Sequence, residues 1–193
     1  MTADTPVRTS PLADWDPRLP SGLNAREVPF LTQLTLRVTP GSAAATAVEG
    51  YLGYALPGAG RAHLDAAVEA LWLGPDEWLL VAPAGRAEEL TAGLRSAIGE
   101  EFATVTDTSA QRTVLALSGP LLPDVLSQGC ALDLAPDKAG VGACRTTLLA
   151  QAGVTLVVRE AGPRVVSLLV RSSFAGYLAA WLADACTEYA GVT

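Results

Sequence analysis

The sequence predicts an α+β fold made of two half-chains, each a split βαβ unit of the ferredoxin-like type. Apolar strand-like segments alternate with amphipathic helical segments, and the same order of elements occurs twice along the chain. Tight-turn residues separate neighbouring strand segments, which favours mostly antiparallel sheets with the helices packed on one face. A chain of 193 residues is also long enough to bury a substantial core.

The N-terminal segment, residues 1–29, is rich in proline and precedes the first strand pattern. Proline fixes φ and removes a backbone donor, so we expect an extended arm without a core of its own. Two interpretations stay open, a disordered tail and an arm that lies on a partner chain through Trp15 and Leu19. The remainder, residues 30–193, is predicted to be one domain whose halves span 30–108 and 109–193.

The first half is predicted from a change of periodicity at Phe30, where apolar residues begin to alternate. Ser42 is typical of a helix N-cap, and Gly74-Pro75-Asp76 is typical of a hairpin turn. The predicted elements are strand 30–38, helix 42–52, strands 67–73 and 77–82, helix 86–98 and strand 102–106.

The second half repeats this order with a variation in its last elements. Ser118 is predicted to cap a short helix, Gly129 to end it in the left-handed conformation, and Ser172 or Ser173 to cap the last helix. The predicted elements are strand 112–117, helix 120–128, strands 146–151 and 154–159, strand 165–171 and helix 174–188.

Composition excludes several classes of function. The 13 basic and 20 acidic residues give a net charge of −7, which disfavours nucleic acid and anionic membranes as partners. No apolar run is long enough to span a bilayer. Half of the residues are hydrophobic, which indicates apolar surface reserved for a protein partner. Three widely spaced cysteines favour reduced thiols in a cytoplasmic protein.

No residue pattern predicts a catalytic or metal centre. Ser118, His63 and Asp107 are the residue types of a hydrolase triad, but Ser118 lacks the glycine-flanked elbow that exposes a nucleophile. Cys130 and Cys144 lie too far apart for a metal knuckle, and Cys186 lies among apolar residues of the last helix. We therefore interpret the cysteines as buried small hydrophobic residues. The catalytic, cofactor and metal sites of this chain are predicted to be none.

Charged and aromatic residues beside predicted core strands suggest contacts instead. We interpret the junction carboxylate Asp107 as forming a buried ion pair with a strand arginine, Arg112 or Arg145. The alternative is that the arginines face a partner chain. Trp72 and Trp78 flank one hairpin and belong either to the core or to an interface.

Five segments, in this order, carry a family resemblance. They are WLGPDEWLL at 72–80, TDTSAQRTVLALSGP at 106–120, VLSQGCALDL at 125–134, GVGACRTTLL at 140–149 and LLVRSSFAGYLAAWLADA at 168–185. Together they resemble the gamma subunit of heterotetrameric sarcosine oxidase. The resemblance implies the folate-binding fold of the aminomethyltransferase (T-protein) of glycine cleavage, in agreement with the two split halves.

The resemblance also implies a function. The family's enzyme oxidises sarcosine to glycine, with hydrogen peroxide and a one-carbon unit passed to tetrahydrofolate. Its FAD, FMN, NAD, tetrahydrofolate and zinc are expected in the other subunits, and none is expected on this chain. The gamma chain is then a non-catalytic assembly subunit with the alpha, beta and delta chains as partners, chiefly alpha. The candidate contacts with these partners are Trp15, Trp72, Trp78 and Arg145.

Two other functions remain open. A free-standing folate-binding protein of the same fold is one, although its relatives' K-G-C-[YF]-x-G-Q-E motif is replaced here by GACRTT around Cys144. A small thiol or serine enzyme that uses Cys130 or Ser118 is the other, and the single histidine of the chain disfavours it.

Overall fold

The computed structural model describes residues 8–162 and 164–189. It contains ten strands and four α-helices within these residues, followed by a short 3₁₀ helix. The strands are β1 Asn24–Val28, β2 Thr32–Val38, β3 Ala62–His63, β4 Glu69–Gly74, β5 Glu77–Ala82, β6 Ala103–Asp107, β7 Arg112–Ser118, β8 Cys144–Leu149, β9 Ala152–Ala161 and β10 Arg164–Arg171. The helices are α1 Ala43–Leu52, α2 Ala87–Ile98, α3 Leu122–Ser127, α4 Ser172–Ala185 and the 3₁₀ helix Thr187–Tyr189.

The strands form two five-stranded sheets, in which every pair of neighbours is antiparallel. The first sheet has the order β3-β4-β5-β2-β6 and comes entirely from the first half-chain. Its order β4-β5-β2-β6, with α1 and α2 as crossovers, is the split βαβ arrangement predicted from the sequence. The second sheet has the order β1-β7-β10-β9-β8, and here β9 and β10 form a hairpin before α4 ends the fold. The α+β class is therefore confirmed.

The N-terminal segment differs from the predicted arm. Residues 24–28 form β1, which pairs along its whole length with β7 in the second sheet. Leu12 and Leu23 of the same segment are buried in the core beneath that sheet. The proline content does not reveal this strand, because β1 itself contains no proline and is the edge strand of the second half.

Three hydrophobic clusters divide the molecule into four layers. One cluster lies between the first sheet and helices α1 and α2, and includes Leu36 and Leu94. A second lies between the second sheet and helices α3 and α4, and includes Leu168 and Leu182. The third joins the two sheets face to face, through residues such as Leu79. Each sheet is consequently covered by helices on its outer face and by the other sheet on its inner face.

One ion pair spans the two sheets beside this third cluster. The Arg159 guanidinium on β9 donates to the Glu69 carboxylate on β4, and it also donates to Ser167 Oγ at 2.9 Å. The Arg159 and Glu69 side chains are 20% and 19% exposed. Because both side chains are largely removed from solvent, loss of either partner would leave a poorly solvated charge between the two sheets.

Helix ends follow the sequence only in the first half. Ser42 accepts a hydrogen bond from the Ala45 N–H at 3.1 Å, as expected of an N-cap. Ser118 does not cap α3, which begins at Leu122, and Ser172 donates its hydroxyl to the Ala110 carbonyl instead of capping α4. Gly129 is not among the glycines with positive φ, so its predicted left-handed role is also wrong. A Cβ at position 129 would overlap the Trp181 indole, so glycine is needed there to let the ring pack closely.

Candidate interaction surface

The two hairpin tryptophans lie opposite each other in the register of β4 and β5. Trp78 is only 4% exposed and packs in the core between the first sheet and its helices, where its indole N–H donates to the Pro57 carbonyl at 2.9 Å. Trp72 packs against the same core and is half-buried. The interpretation of Trp78 as a partner contact is therefore wrong, since its ring is enclosed by this chain.

Trp15 and Leu19 anchor the N-terminal segment onto this chain itself. Both are half-buried and pack against the core beneath the second sheet. The arm thus covers its own second half-chain, and its apolar anchors are already used there. This differs from an arm that lies on a partner through these two residues.

Arg145 is engaged with the backbone at the junction of the two sheets. Its guanidinium donates to the Gly60 carbonyl and, at 3.1 Å, to the Cys144 carbonyl. A Cβ at Gly60 would overlap that guanidinium, so glycine is needed for the approach. Arg145 thereby ties the edge strand β8 to the loop before β3.

The predicted ion pair of Asp107 with Arg112 is not formed. Asp107 accepts instead from the Ser109 N–H at 2.9 Å and from the Ser109 hydroxyl at 2.5 Å. Arg112 donates weakly to the Gln111 side chain at 3.5 Å. Because the Asp107 carboxylate bonds within its own turn, Arg112 has no carboxylate partner in the predicted pair.

The residues with catalytic chemistry are not brought together. His63 stacks on Tyr54 with ring centroids 3.7 Å apart, in the first sheet, whereas Ser118 ends β7 in the second. All three cysteines are buried free thiols. Burial raises the pKa of Cys144 to about 11, although Arg145 and Arg159 oppose the shift, so its nucleophilic thiolate is scarce at neutral pH.

The residues that the structure describes contain no group of three or more His, Cys, Asp and Glu side chains placed to hold a metal ion. Within the same ranges, none of the helices has the length and apolar character needed to cross a membrane.

The structure does gather exposed groups at one end of the second sheet. Arg112, the first residue of β7, lies directly opposite Arg171, the last residue of β10. Helix α4 begins immediately after Arg171 and exposes Phe174 and Tyr177, which are 44% and 41% exposed. β1 also ends at this end of the sheet, where Val28 pairs with Val114, and it leads to Phe30, which is 37% exposed. We call the two arginines and the three exposed aromatic residues the arginine–aromatic patch.

The electrostatics of the patch are set by the two arginines. Burial lowers the pKa of Arg112 first, and the neighbouring Arg171 lowers it further, while Glu77 partly compensates. Glu77 is itself paired with Arg37 at 2.6 Å. Sequence reasoning considered Arg112 as a partner contact but missed Arg171, because only the strand register places the two side by side.

Comparisons with known proteins agree with this fold. A family model described as "Sarcosine oxidase, gamma subunit family" matches residues 38–188. The sarcosine oxidase subunit gamma of Corynebacterium sp. strain P-1 is 38% identical over 96% of this chain and 93% of its own. The corresponding subunit of Corynebacterium sp. strain U-96 is 41% identical over 85% of this chain and 79% of its own.

Solved structures give the same result. A chain of the heterotetrameric sarcosine oxidase from Corynebacterium sp. U-96, in complex with pyrrole 2-carboxylate, superposes with a TM-score of 0.85 at 37% identity, covering 96% of this chain and 98% of that one. The glycine cleavage aminomethyltransferase T of Bartonella henselae shares the fold, with a TM-score of 0.61 at 19% identity over 85% of this chain and 46% of its own. On these matches of sequence and structure, the chain belongs to the sarcosine oxidase gamma subunit family.

Proposed function

We propose that this chain is a non-catalytic assembly subunit of a heterotetrameric sarcosine oxidase. The observation that carries the proposal is the superposition on nearly a whole chain of such an enzyme, 98% of that chain at a TM-score of 0.85. In this proposal its partners are the alpha, beta and delta chains, chiefly the large alpha chain, in the cytoplasm. Their enzyme converts sarcosine to glycine, with hydrogen peroxide and a one-carbon unit passed to tetrahydrofolate.

The environments of the reactive side chains support a role without chemistry. Burial holds the Cys144 thiol neutral, and its Sγ contacts the Trp72 carbonyl at 3.5 Å. His63 is stacked on Tyr54, and Asp107 is bonded within its own turn, so neither is placed beside Ser118. In line with the family resemblance, we also propose that FAD, FMN, NAD, tetrahydrofolate and zinc are held by the other subunits.

Co-expression tests the proposal. The tagged chain is produced with its genomic neighbours and purified through the tag, followed by an absorption spectrum and a peroxide assay with sarcosine. We expect four different chains, a flavin spectrum and peroxide formation. A parallel co-expression without this chain should give less assembled enzyme. A colourless, soluble, lone chain would contradict the proposal.

Catalysis by this chain is tested separately in the purified assembly. His63→Ala removes the single histidine of the chain, the side chain that a serine or thiol mechanism would need as its base. We expect unchanged turnover per flavin. His63→Phe is the matched variant, because it also lacks the base but keeps a ring to stack on Tyr54, and it should give the same turnover. If turnover falls while assembly is intact, the chain takes part in the reaction.

A further inference from the structure

The proposed function leaves open where the partner binds, and the arginine–aromatic patch is the strongest candidate. Four of the large hydrophobic residues that the described structure exposes lie at this end of the second sheet, the fourth being Leu148 at the end of β8. The same end carries Arg112 and Arg171. Exposed apolar side chains and two arginines thus lie together at one end of the second sheet.

The arginine pair has an unmet electrostatic requirement. Like charges directly opposite each other on neighbouring strands repel, and burial of Arg112 weakens the screening between them. None of the ion pairs among the described residues includes Arg112 or Arg171. Carboxylates from outside would remove the repulsion, and the planar guanidinium fork suits such bidentate pairing.

The aromatic side chains of the patch are held in place. The Ser172 N–H donates to the Gln111 carbonyl at 2.9 Å, which fixes the start of α4 against the turn before β7. Phe174 and Tyr177 then contact edge to face, with centroids 6.5 Å apart. The Tyr177 hydroxyl accepts from the Gln151 N–H at 3.3 Å. Pre-positioned aromatic rings lose little conformational entropy when a partner covers them.

Phe30 adds a strained backbone to the same surface. Its φ is +62°, which is uncommon for a residue with a Cβ and concentrates at functional positions. The Arg8 guanidinium lies over the Phe30 ring, 5.0 Å from its centroid. Arg8 is therefore a third arginine at this end of the second sheet, in a chain whose net charge is −7.

We propose that the arginine–aromatic patch docks onto a carboxylate-bearing surface of another subunit, with carboxylates pairing Arg112 and Arg171 and apolar side chains covering Phe174 and Tyr177. This inference rests on the proposed function and identifies the surface through which the chain would bind its partner subunit. Charge complementarity determines the partner's chemistry, because the patch concentrates positive charge on an otherwise acidic protein.

A competition experiment tests the docking. A wild-type and a variant chain, distinguishable by mass, are co-expressed with the other subunits, and the ratio incorporated into the purified assembly is compared with the ratio in the soluble fraction. Arg171→Glu should be incorporated at least about tenfold less than wild type, as expected for an interface arginine. Arg26→Glu is the matched control, because Arg26 is exposed on the same face of the same sheet, in the middle of β1 and opposite Ala116, away from Arg112 and Arg171.

Each outcome has a defined meaning. If Arg171→Glu is incorporated less than wild type while Arg26→Glu is incorporated equally, the docking surface is supported. Equal incorporation of Arg171→Glu and wild type, or equal loss of both variants, overturns it. Phe174→Ser provides a second variant that alters no charge, and it should also be under-incorporated. If the wild-type chain itself fails to enter the assembly, the proposed function fails, which is a different result.

Discussion

Gly119 holds the N-terminal segment against the second sheet, and Gly119→Ala is expected to release it. The φ of Gly119 is +124°, a conformation that a residue with a Cβ adopts at a cost of about 1–3 kcal/mol. A Cβ there would also lie 3.0 Å from the Gly22 carbonyl carbon and closer still to its oxygen. That oxygen accepts from the Leu121 N–H at 3.0 Å, a hydrogen bond worth about 1 kcal/mol.

Together these effects lower the free energy of opening the segment by about 2–4 kcal/mol, which corresponds to roughly 30- to 1,000-fold faster hydrogen exchange. The measurement is hydrogen–deuterium exchange by mass spectrometry on peptides that cover β1, in the purified assembly. Gly53→Ala is the control, because Gly53 has a φ of +82° but no atom within 4 Å of the added Cβ. It should weaken the end of α1 and leave β1 unchanged. Wild-type exchange of β1 in Gly119→Ala would refute the reasoning.

Three further predictions concern the layers of the fold. Glu69→Gln leaves Arg159 without its carboxylate and should destabilise the contact between the sheets by about 2 kcal/mol, less than a fully buried pair because the side chains keep some solvent. Faster exchange in β4 and β9 would show it, and unchanged rates would count against the pair. Leu168→Ala should cost about 2–5 kcal/mol, since Leu168 is fully buried, whereas Leu148→Ala, at a side chain 59% exposed, should stay within about 0.5 kcal/mol. Thermal melting of both variants measures the difference, and similar losses would contradict the assigned core. Cys144, with its pKa raised to about 11, has about one thiol in a thousand ionised at pH 8, so iodoacetamide should label it only after unfolding. Since the folded state favours the neutral thiol, its contribution to stability is present below about pH 9 and is lost as the pH rises towards 11. Rapid labelling of the folded chain at pH 8 would contradict this environment.

Local patterns predicted most of the secondary structure, because periodicity and turn residues act within a few positions of the chain. The hairpin of β4 and β5 and the helix α2 were predicted to within about two residues at each end. Helix caps were less predictable in the second half. Ser172 has a long-range carbonyl to bond, and Gly129 has a long-range ring to avoid, so tertiary contacts override the local preference at both positions.

The candidate site depended on information that periodicity does not contain. Trp72 and Trp78 have the same residue type and lie opposite each other in one hairpin, yet Trp78 is buried and Trp72 only half-buried. Arg112 and Arg171 become neighbours only through the pairing of β7 with β10. The burial of Trp15 by its own chain likewise depends on where β1 pairs. Residue type alone therefore identified contact-forming side chains without identifying what they contact.

The position of β1 has a consequence for the order in which the protein is made. This strand leaves the ribosome before the whole first sheet, yet its neighbour β7 begins only at Arg112. During synthesis the first sheet, which is contiguous from Thr32 to Asp107, has all its strands while β1 is still without a partner. The second half is therefore not an independent unit. A fragment that starts at residue 109 would lack β1, and its β7 edge would be open to intermolecular pairing.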